Sequence, residues 1–324
     1  MHSILLIVSG LVLFLYALNS LSEGLSHVAG DKLKYFLDHF TNNVFKGIIS
    51  GLIVTVLLDS SSVVIIMTIA LVNTKAMTFR QAMGVVMGAN IGTTVSSQIF
   101  ALNVGEYAAL PILAGFIMMV IVKNKFYKNL GRVVFSFGLI FFGLFTMEEA
   151  VAPLKQSNYF VTWLHGLETT WKGLFTGAFV TLIIQSSSAT VGMVIGLASK
   201  GLISITAGIA VMLGAELGTC SDTLVASIGR SKAAVKTGLF HLLFNVFTIL
   251  LGMIFLSSFT QLVLAISRTA SPEQTIANAH MLFNGLGVLI MIPFIGHYER
   301  LLNFIVPQRK KQIAKEAELE TVKN

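Results

Sequence analysis

Residues 183–190 read IIQSSSAT, a glutamine and three serines set inside the stretch 173–199, which holds no charged residue. Residues 57–64, LLDSSSVV, repeat the interruption in a similarly apolar setting. Each cluster divides an apolar run, 47–72 or 173–199, into arms of about 12 residues, whereas a helix needs about 20 to cross the hydrocarbon core. Neither run reads as a straight span. Both read as re-entrant helical hairpins that enter and leave on one side, with serines at their tips.

The composition supports that reading. Charged residues make up 11% of the 324, hydrophobic residues 55%, and mean hydropathy is +0.82; an ordinary soluble domain carries about 25% charge. Too few charges are present to cover a water-facing surface, so the surface faces lipid and the fold class is all-α polytopic membrane protein. Segment 4–22 lacks the basic start and small-residue cleavage pattern of a signal peptide and reads as a retained span. The lone Cys220 excludes an internal disulfide, and no Cys/His spacing suggests a transition metal.

Seven crossings are expected, at 4–22, 77–103, 105–122, 133–150, 203–228, 233–257 and 276–296. With the N-terminus outside and the C-terminus cytoplasmic, the inner segments hold 18 Lys and Arg residues and the outer ones four: Lys155, Lys172, Lys200 and Arg268. Basic residues collect on the cytoplasmic side of a membrane, so the net charge of +7 is an orientation signal in a cell (inner) membrane and gives no reason to expect nucleic acid. The tail from Arg309 is at best a short amphipathic helix drawn to anionic lipid.

The chain is also an internal duplication. Sliding residues 46–97 onto 172–223 at a constant offset of 126 matches Gly47/Gly173, Gly51/Gly177, Thr55/Thr181, the three serines, Gly88/Gly214, Gly92/Gly218 and Thr93/Thr219 without a gap. Each unit is then span, hairpin, span, span. An odd number of crossings inverts the second unit, and inverted repeats with discontinuous helices are the usual build of a secondary transporter with a midplane site. The domains are therefore 1–130, the first repeat; 131–257, the second; 258–306, an additional transmembrane helix; and 307–324, a cytoplasmic charged tail. The helix at 276–296 has no role in this scheme, which leaves a homodimer open.

Irregular backbone is tolerated at membrane depth where it lines a cavity or packs in protein. The arms that start near Ser61 and Ser187 present free N–H groups and a positive dipole end, and serine is a favoured N-cap. Ser60, Ser61, Ser62, Ser186, Ser187 and Ser188 would line a cavity suited to an oxyanion such as phosphate or sulfate. Serines in membrane helices also bond the preceding turn or sit at close helix contacts, but that does not explain two clusters at one repeat position.

QSSS at 185–188, GANIGTT at 88–94 and HLLFN at 241–245 resemble the type II sodium/phosphate cotransporter family over about residues 4–296. The resemblance implies sodium-driven phosphate uptake, without enzymatic activity or a cofactor beyond sodium as coupling ion. Both serine motifs, with Gln185, would hold phosphate, and nearby oxygens of Gln185, Asn90 and threonines would hold sodium. Some bacterial relatives carry a soluble regulatory domain after the last helix; here a short charged tail stands in that position. The first motif departs from the family, with Asp59 where glutamine is expected. Glu216 stands opposite Asn90, so each unit has one carboxylate where the other has an amide. Two charges 4 Å apart at an effective dielectric of 20 interact by about 4 kcal/mol, so an ionised Asp59 or Glu216 beside phosphate needs a cation. Sodium there would raise anion affinity, and the anion would raise sodium affinity equally; a proton on one carboxylate is the other option.

GANIGTT and GAELGTC, at 88–94 and 214–220, read as unwound points that make 77–103 and 203–228 broken helices. Their free carbonyls with Thr93, Thr94 and Thr219 would suit a hard cation, although close glycine packing is the rival reading. Thr55, Thr181, Thr190 and Asp222 lie within a turn or so. His241/Asn245 and His280/Asn284, each four residues apart on one helix face, read as interhelical hydrogen-bonding pairs. A dicarboxylate or sulfate carrier remains the alternative substrate class. The chain lacks an NMDGT-like motif and an intramembrane arginine, and no base is paired with a serine as a hydrolase requires.

Overall fold

The computed structural model describes residues 2–29, 35–37, 40–102, 104–151, 153, 162, 166–167 and 170–307. The tail from Arg309 lies outside them, as do Lys32, Lys34 and Lys155. Among the described residues the chain is helical, with no strand. In order the helices are α1 (His2–Ala29), α2 (Val44–Leu58), α3 (Ser61–Asn73), α4 (Phe79–Phe100), α5 (Ala109–Ile121), α6 (Lys125–Val151), α7 (Thr170–Ile184), α8 (Ser187–Ser199), α9 (Ile205–Gly218), α10 (Cys220–Ser227), α11 (Lys232–Ile254), α12 (Leu256–Ile266), α13 (Pro272–Met291) and α14 (Ile295–Ile305).

The duplication is written in the backbone. α2 and α3 recur as α7 and α8 with every boundary displaced by 126 residues. Asp59 and Gln185 both adopt left-handed backbone, at φ 53° and 61°, and so do Lys75 and Gly201, at 63° each. A left-handed residue ends a helix by turning the next peptide away from the helical path; the serine that follows then caps the next one. Ser60 Oγ accepts from the Val63 N–H at 3.3 Å and Ser186 Oγ from that of Ala189 at 3.1 Å.

Lipid tails are as apolar as leucine, so helices associate in a membrane through close packing at small residues. A Cβ built on Gly51 would lie 2.2 Å from the Val85 carbonyl oxygen, and one on Gly88 1.9 Å from that of Ile48. The second unit repeats the contact: Gly177 would meet Val211 at 2.0 Å and Gly214 would meet Leu174 at 2.0 Å. Backbone thus lies directly on backbone between α2 and α4, and between α7 and α9.

This corrects the expectation of an unwound point in the first unit. α4 runs without interruption through Gly88–Thr94; the first unit bends after Phe100, by 77°, into the segment that ends in α5. In the second unit the helix is interrupted at Thr219 alone, whose backbone stays right-handed helical at φ −66°. The glycines serve packing, as the rival reading had it.

Five described helices are long and apolar enough to cross a membrane: Ser3–Val28, Lys125–Val151, Ile205–Ser227, Lys232–Ile254 and Pro272–Ile305. Phe79–Phe100 with Gly105–Ile121 makes a sixth if the bent pair is one span. Taken singly, neither Phe79–Phe100 nor Gly105–Ile121 meets this measure of length and hydropathy, so the separate crossings expected at 77–103 and 105–122 rest on the sequence reading. At 1.5 Å per residue α5 is about 20 Å long, against a hydrocarbon core of about 30 Å.

Each hairpin's second arm packs across the duplication, α3 on α10 and α8 on α4. α11 lies against α3, α4, α9 and α10, and α13 against α4, α8, α9 and α12. The segment expected as an unassigned helix is therefore an inner element, with Ala277, His280, Phe283 and Asn284 buried.

Candidate substrate and cation sites

Ser61 and Ser62 open α3, and Ser187 and Ser188 open α8, so their N–H groups have no acceptor within the helix. Ser61, Ser187 and Ser188 are buried, while Ser60, Ser62 and Ser186 are half-buried. The first tip reaches the second unit: Ser62 Oγ lies 3.4 Å from Thr219 Oγ1 and faces the Asp222 carboxylate. Asp222, weighed only as a minor candidate, thus meets the serine motif directly.

The tips differ at the residue before the serines. Ser96 donates to the Asp59 carboxylate. A cavity of about 170 Å³ adjoins that pair, walled by Leu21, Leu25, Phe137 and Ile140 from α1 and α6. Gln185 is exposed, and its amide donates to Leu182 of its own helix at 3.3 Å. The Gln185 backbone N–H donates to the Thr181 carbonyl at 2.7 Å, so among the described residues its hydrogen bonds stay within the first arm of its own hairpin.

The threonines divide in the same way. Thr181 and Thr190 bond each other at 2.6 Å. Val64 occupies the first-unit position of Thr190, and the buried Thr55 hydroxyl has no hydrogen-bond partner among the described residues. Thr93 and Thr94 donate to carbonyls of their own helix, Ala89 at 3.1 Å and Ile91 at 2.7 Å, which leaves their oxygens able to accept.

Asn90 and Glu216 lie in one buried network. Asn90 Nδ2 donates to Asn245 Oδ1 at 2.6 Å, and Asn245 Nδ2 donates to the Glu216 backbone oxygen at 2.7 Å. The Glu216 carboxylate lies 2.8 Å from His280 Nε2, and His280 Nδ1 lies 2.7 Å from Ser97 Oγ. His241 makes the matching contact, with Nδ1 2.8 Å from Thr223 Oγ1. Both histidines bond between helices. Asn284 Nδ2 donates to the His280 carbonyl within its own helix at 3.3 Å.

Ser96 and Ser97 escaped the sequence reading, although a signal for them existed. At the offset of 126 they align with Asp222 and Thr223, so Ser96/Asp222 is a third pair with a carboxylate in one unit only. Gln274 was also missed; its amide donates to Gln98 at 2.5 Å and to Asn278 at 3.1 Å, tying α13 to α4.

The Na+/Pi-cotransporter family model matches the chain twice, over residues 13–149 and 154–291. YqeW of Bacillus subtilis (strain 168) is 28% identical over 308 residues, 94% of this chain and 99% of its own length. YjbB of Escherichia coli (strain K12), named as a candidate inorganic phosphate export protein, is 25% identical over 94% of this chain; the chain spans 56% of YjbB. The human sodium-dependent phosphate transport protein 2B is 33% identical over 106 residues, 32% of this chain and 15% of its own length. No solved structure matches the chain significantly.

Proposed function

This chain belongs to the Na+/Pi-cotransporter family, and from that premise we propose that it imports inorganic phosphate in symport with sodium by alternating access. The units 1–130 and 131–257 are inverted repeats, their hairpins enter from opposite faces, and the site lies near the midplane where the two serine tips approach. The N-terminus is outside and the C-terminus cytoplasmic, in the cell membrane. One observation carries the reading: both copies set a left-handed residue, a serine cap and two further serines with free N–H groups at one repeat position. Two such helix starts supply neutral donors and positive dipole ends to a small oxyanion.

Sodium belongs beside the first tip. The buried Thr55 hydroxyl without a partner, Asp59 one turn further along, and the accepting oxygens of Thr93 and Thr94 form the oxygen-rich set that a hard cation takes. Glu216 fits less well, because an imidazole nitrogen and an amide already occupy its carboxylate and its carbonyl. Bound sodium would offset the repulsion between Asp59 and the phosphate charge, which is the coupling.

The test is radiolabelled phosphate uptake into proteoliposomes under an inward sodium gradient, with potassium and proton gradients as controls. Sodium-dependent uptake that arsenate competes away supports the proposal; uptake indifferent to sodium overturns the coupling, and competition by sulfate or a dicarboxylate in place of arsenate overturns the substrate. The similarity to YjbB favours a second reading, export. A symporter runs down the combined gradient in either direction, so efflux from phosphate-loaded vesicles at zero sodium gradient distinguishes a reversible carrier from one that only imports.

A further inference from the structure

The proposed phosphate and sodium ligands leave a buried ionisable group unused. His280 is fully buried and Glu216 is 3% exposed. Ser97 Oγ, the two ring nitrogens of His280 and the Glu216 carboxylate form one hydrogen-bonded chain with links of 2.7 Å and 2.8 Å. With Glu216 ionised, the Ser97 hydroxyl donates to Nδ1 and the Nε2–H donates to the carboxylate. With one proton more, either Glu216 is neutral and donates to Nε2 while Nδ1–H donates to Ser97, or both ring nitrogens are protonated beside the carboxylate. The chain therefore accepts a single proton without breaking a link.

The other histidine–asparagine pair, His241 and Asn245, supplies an internal comparison. At His241, Thr223 takes the place of Ser97, but the other ring nitrogen lies 3.3 Å from the Asn245 amide, and no carboxylate occupies the Asn90 position. Only one of the two arrangements can gain a proton on an acid. Its position is also informative. Ser97 follows Ser96, which bonds Asp59, so consecutive residues of α4 carry the carboxylate proposed for sodium and the Glu216–His280 pair.

We propose that Glu216, His280 and Ser97 form a proton-binding site, and that its proton is a second coupling ion which α4 links to the cation site at Asp59. As a statement about cargo this rests on the phosphate reading. The charged and titratable groups on the surrounding elements are few. Cys220 and Asp222 lie on α10, His241 on α11, and Lys46 and Asp59 on α2 and at its end. Lys232 and Lys236 lie in the first turns of α11 and Lys172 at the start of α7. Arg80 at the start of α4 pairs with Glu299, Lys200 after α8 pairs with Glu148 and Glu149, and Glu273 lies in the first turn of α13. α12 carries none.

The experiment measures protons moved per phosphate in proteoliposomes with an entrapped pH dye, at saturating sodium. The wild type and H241Q are expected to give the same ratio, and E216Q and H280Q a ratio lower by one. An unchanged ratio in E216Q overturns the proposal. Infrared titration of the purified protein supplies a second readout that needs no transport: a carboxyl signal that E216Q removes and H280Q shifts is expected, and an identical titration in wild type and E216Q overturns the site. A protein that shows this signal yet moves no phosphate would sink the phosphate reading alone. Should E216Q fail to fold, H280Q and S97A carry the same comparison, with a shifted signal expected in each and an unshifted one contradicting the chain.

Discussion

Asp59 and Gln185 share a backbone conformation and a repeat position, so the difference between the tips is one of side chain and of what each side chain meets. Asp59 bonds Ser96, while Gln185 bonds only its own helix. Asp59→Asn keeps the shape and removes the charge; the proposal expects the sodium dependence of uptake to weaken while selectivity for phosphate over sulfate holds, and an unaltered sodium titration would refute the assignment. Thr55 allows a sharper test. An unpaired buried hydroxyl costs about 1–3 kcal/mol, so Thr55→Val is expected to leave the sodium-free protein as stable or more stable in detergent melting, and to raise the sodium concentration for half-maximal uptake. Greater stability with unchanged sodium affinity would make Thr55 a structural residue. At the serines, Ser61→Ala and Ser187→Ala each remove a hydrogen bond to an anion, worth about 1.5–3 kcal/mol, so phosphate affinity should fall about 10- to 100-fold; full affinity in both would overturn the oxyanion site. The carboxylates Asp59 and Glu216 were legible in the sequence because an intramembrane acid is costly enough to stand out. Ser96 and Ser97 were not, because a serine in a helix reads as packing until its partner is known.

The hairpin arms are the elements that the sequence specified best, since a serine cluster inside the apolar runs 47–72 and 173–199 leaves each arm too short for any other use. The helix that follows the first hairpin was misread for a physical reason. Gly-x-x-x-Gly spacing suits both a flexible break and the closest helix packing, and composition does not separate the two. Contact does: Gly88 and Gly214 each lie against a carbonyl of the preceding hairpin arm, where a methyl group has no room. Gly88→Ala and Gly214→Ala are therefore expected to lower the melting temperature in detergent, at an overpacking cost of about 1–3 kcal/mol or more. Gly285→Ala, which has nothing within 4 Å of its built Cβ, should melt with the wild type. If Gly88→Ala melted unchanged while altering only sodium affinity, the hinge reading would return.

For the whole molecule, the duplication at an offset of 126 was legible, and the role of α13 was not. A helix outside the repeat offers no internal match by which to place it, so its partners emerge only from the packing that sets His280 against Ser97 and Glu216. What the offset implies about topology can be tested at two equivalent turns. Lys75 and Gly201 follow the two hairpins at the same repeat position and with the same left-handed backbone. If three crossings per unit invert the second copy, these turns lie on opposite faces of the membrane, with Lys75 inside and Gly201 outside. In a Cys220→Ser background, Lys75→Cys is expected to react with a membrane-impermeant thiol reagent only after cells are opened, and Gly201→Cys in intact cells. Labelling of both from one side would make the repeats parallel, and two serine tips entering from the same face could not approach each other from opposite sides of a midplane site.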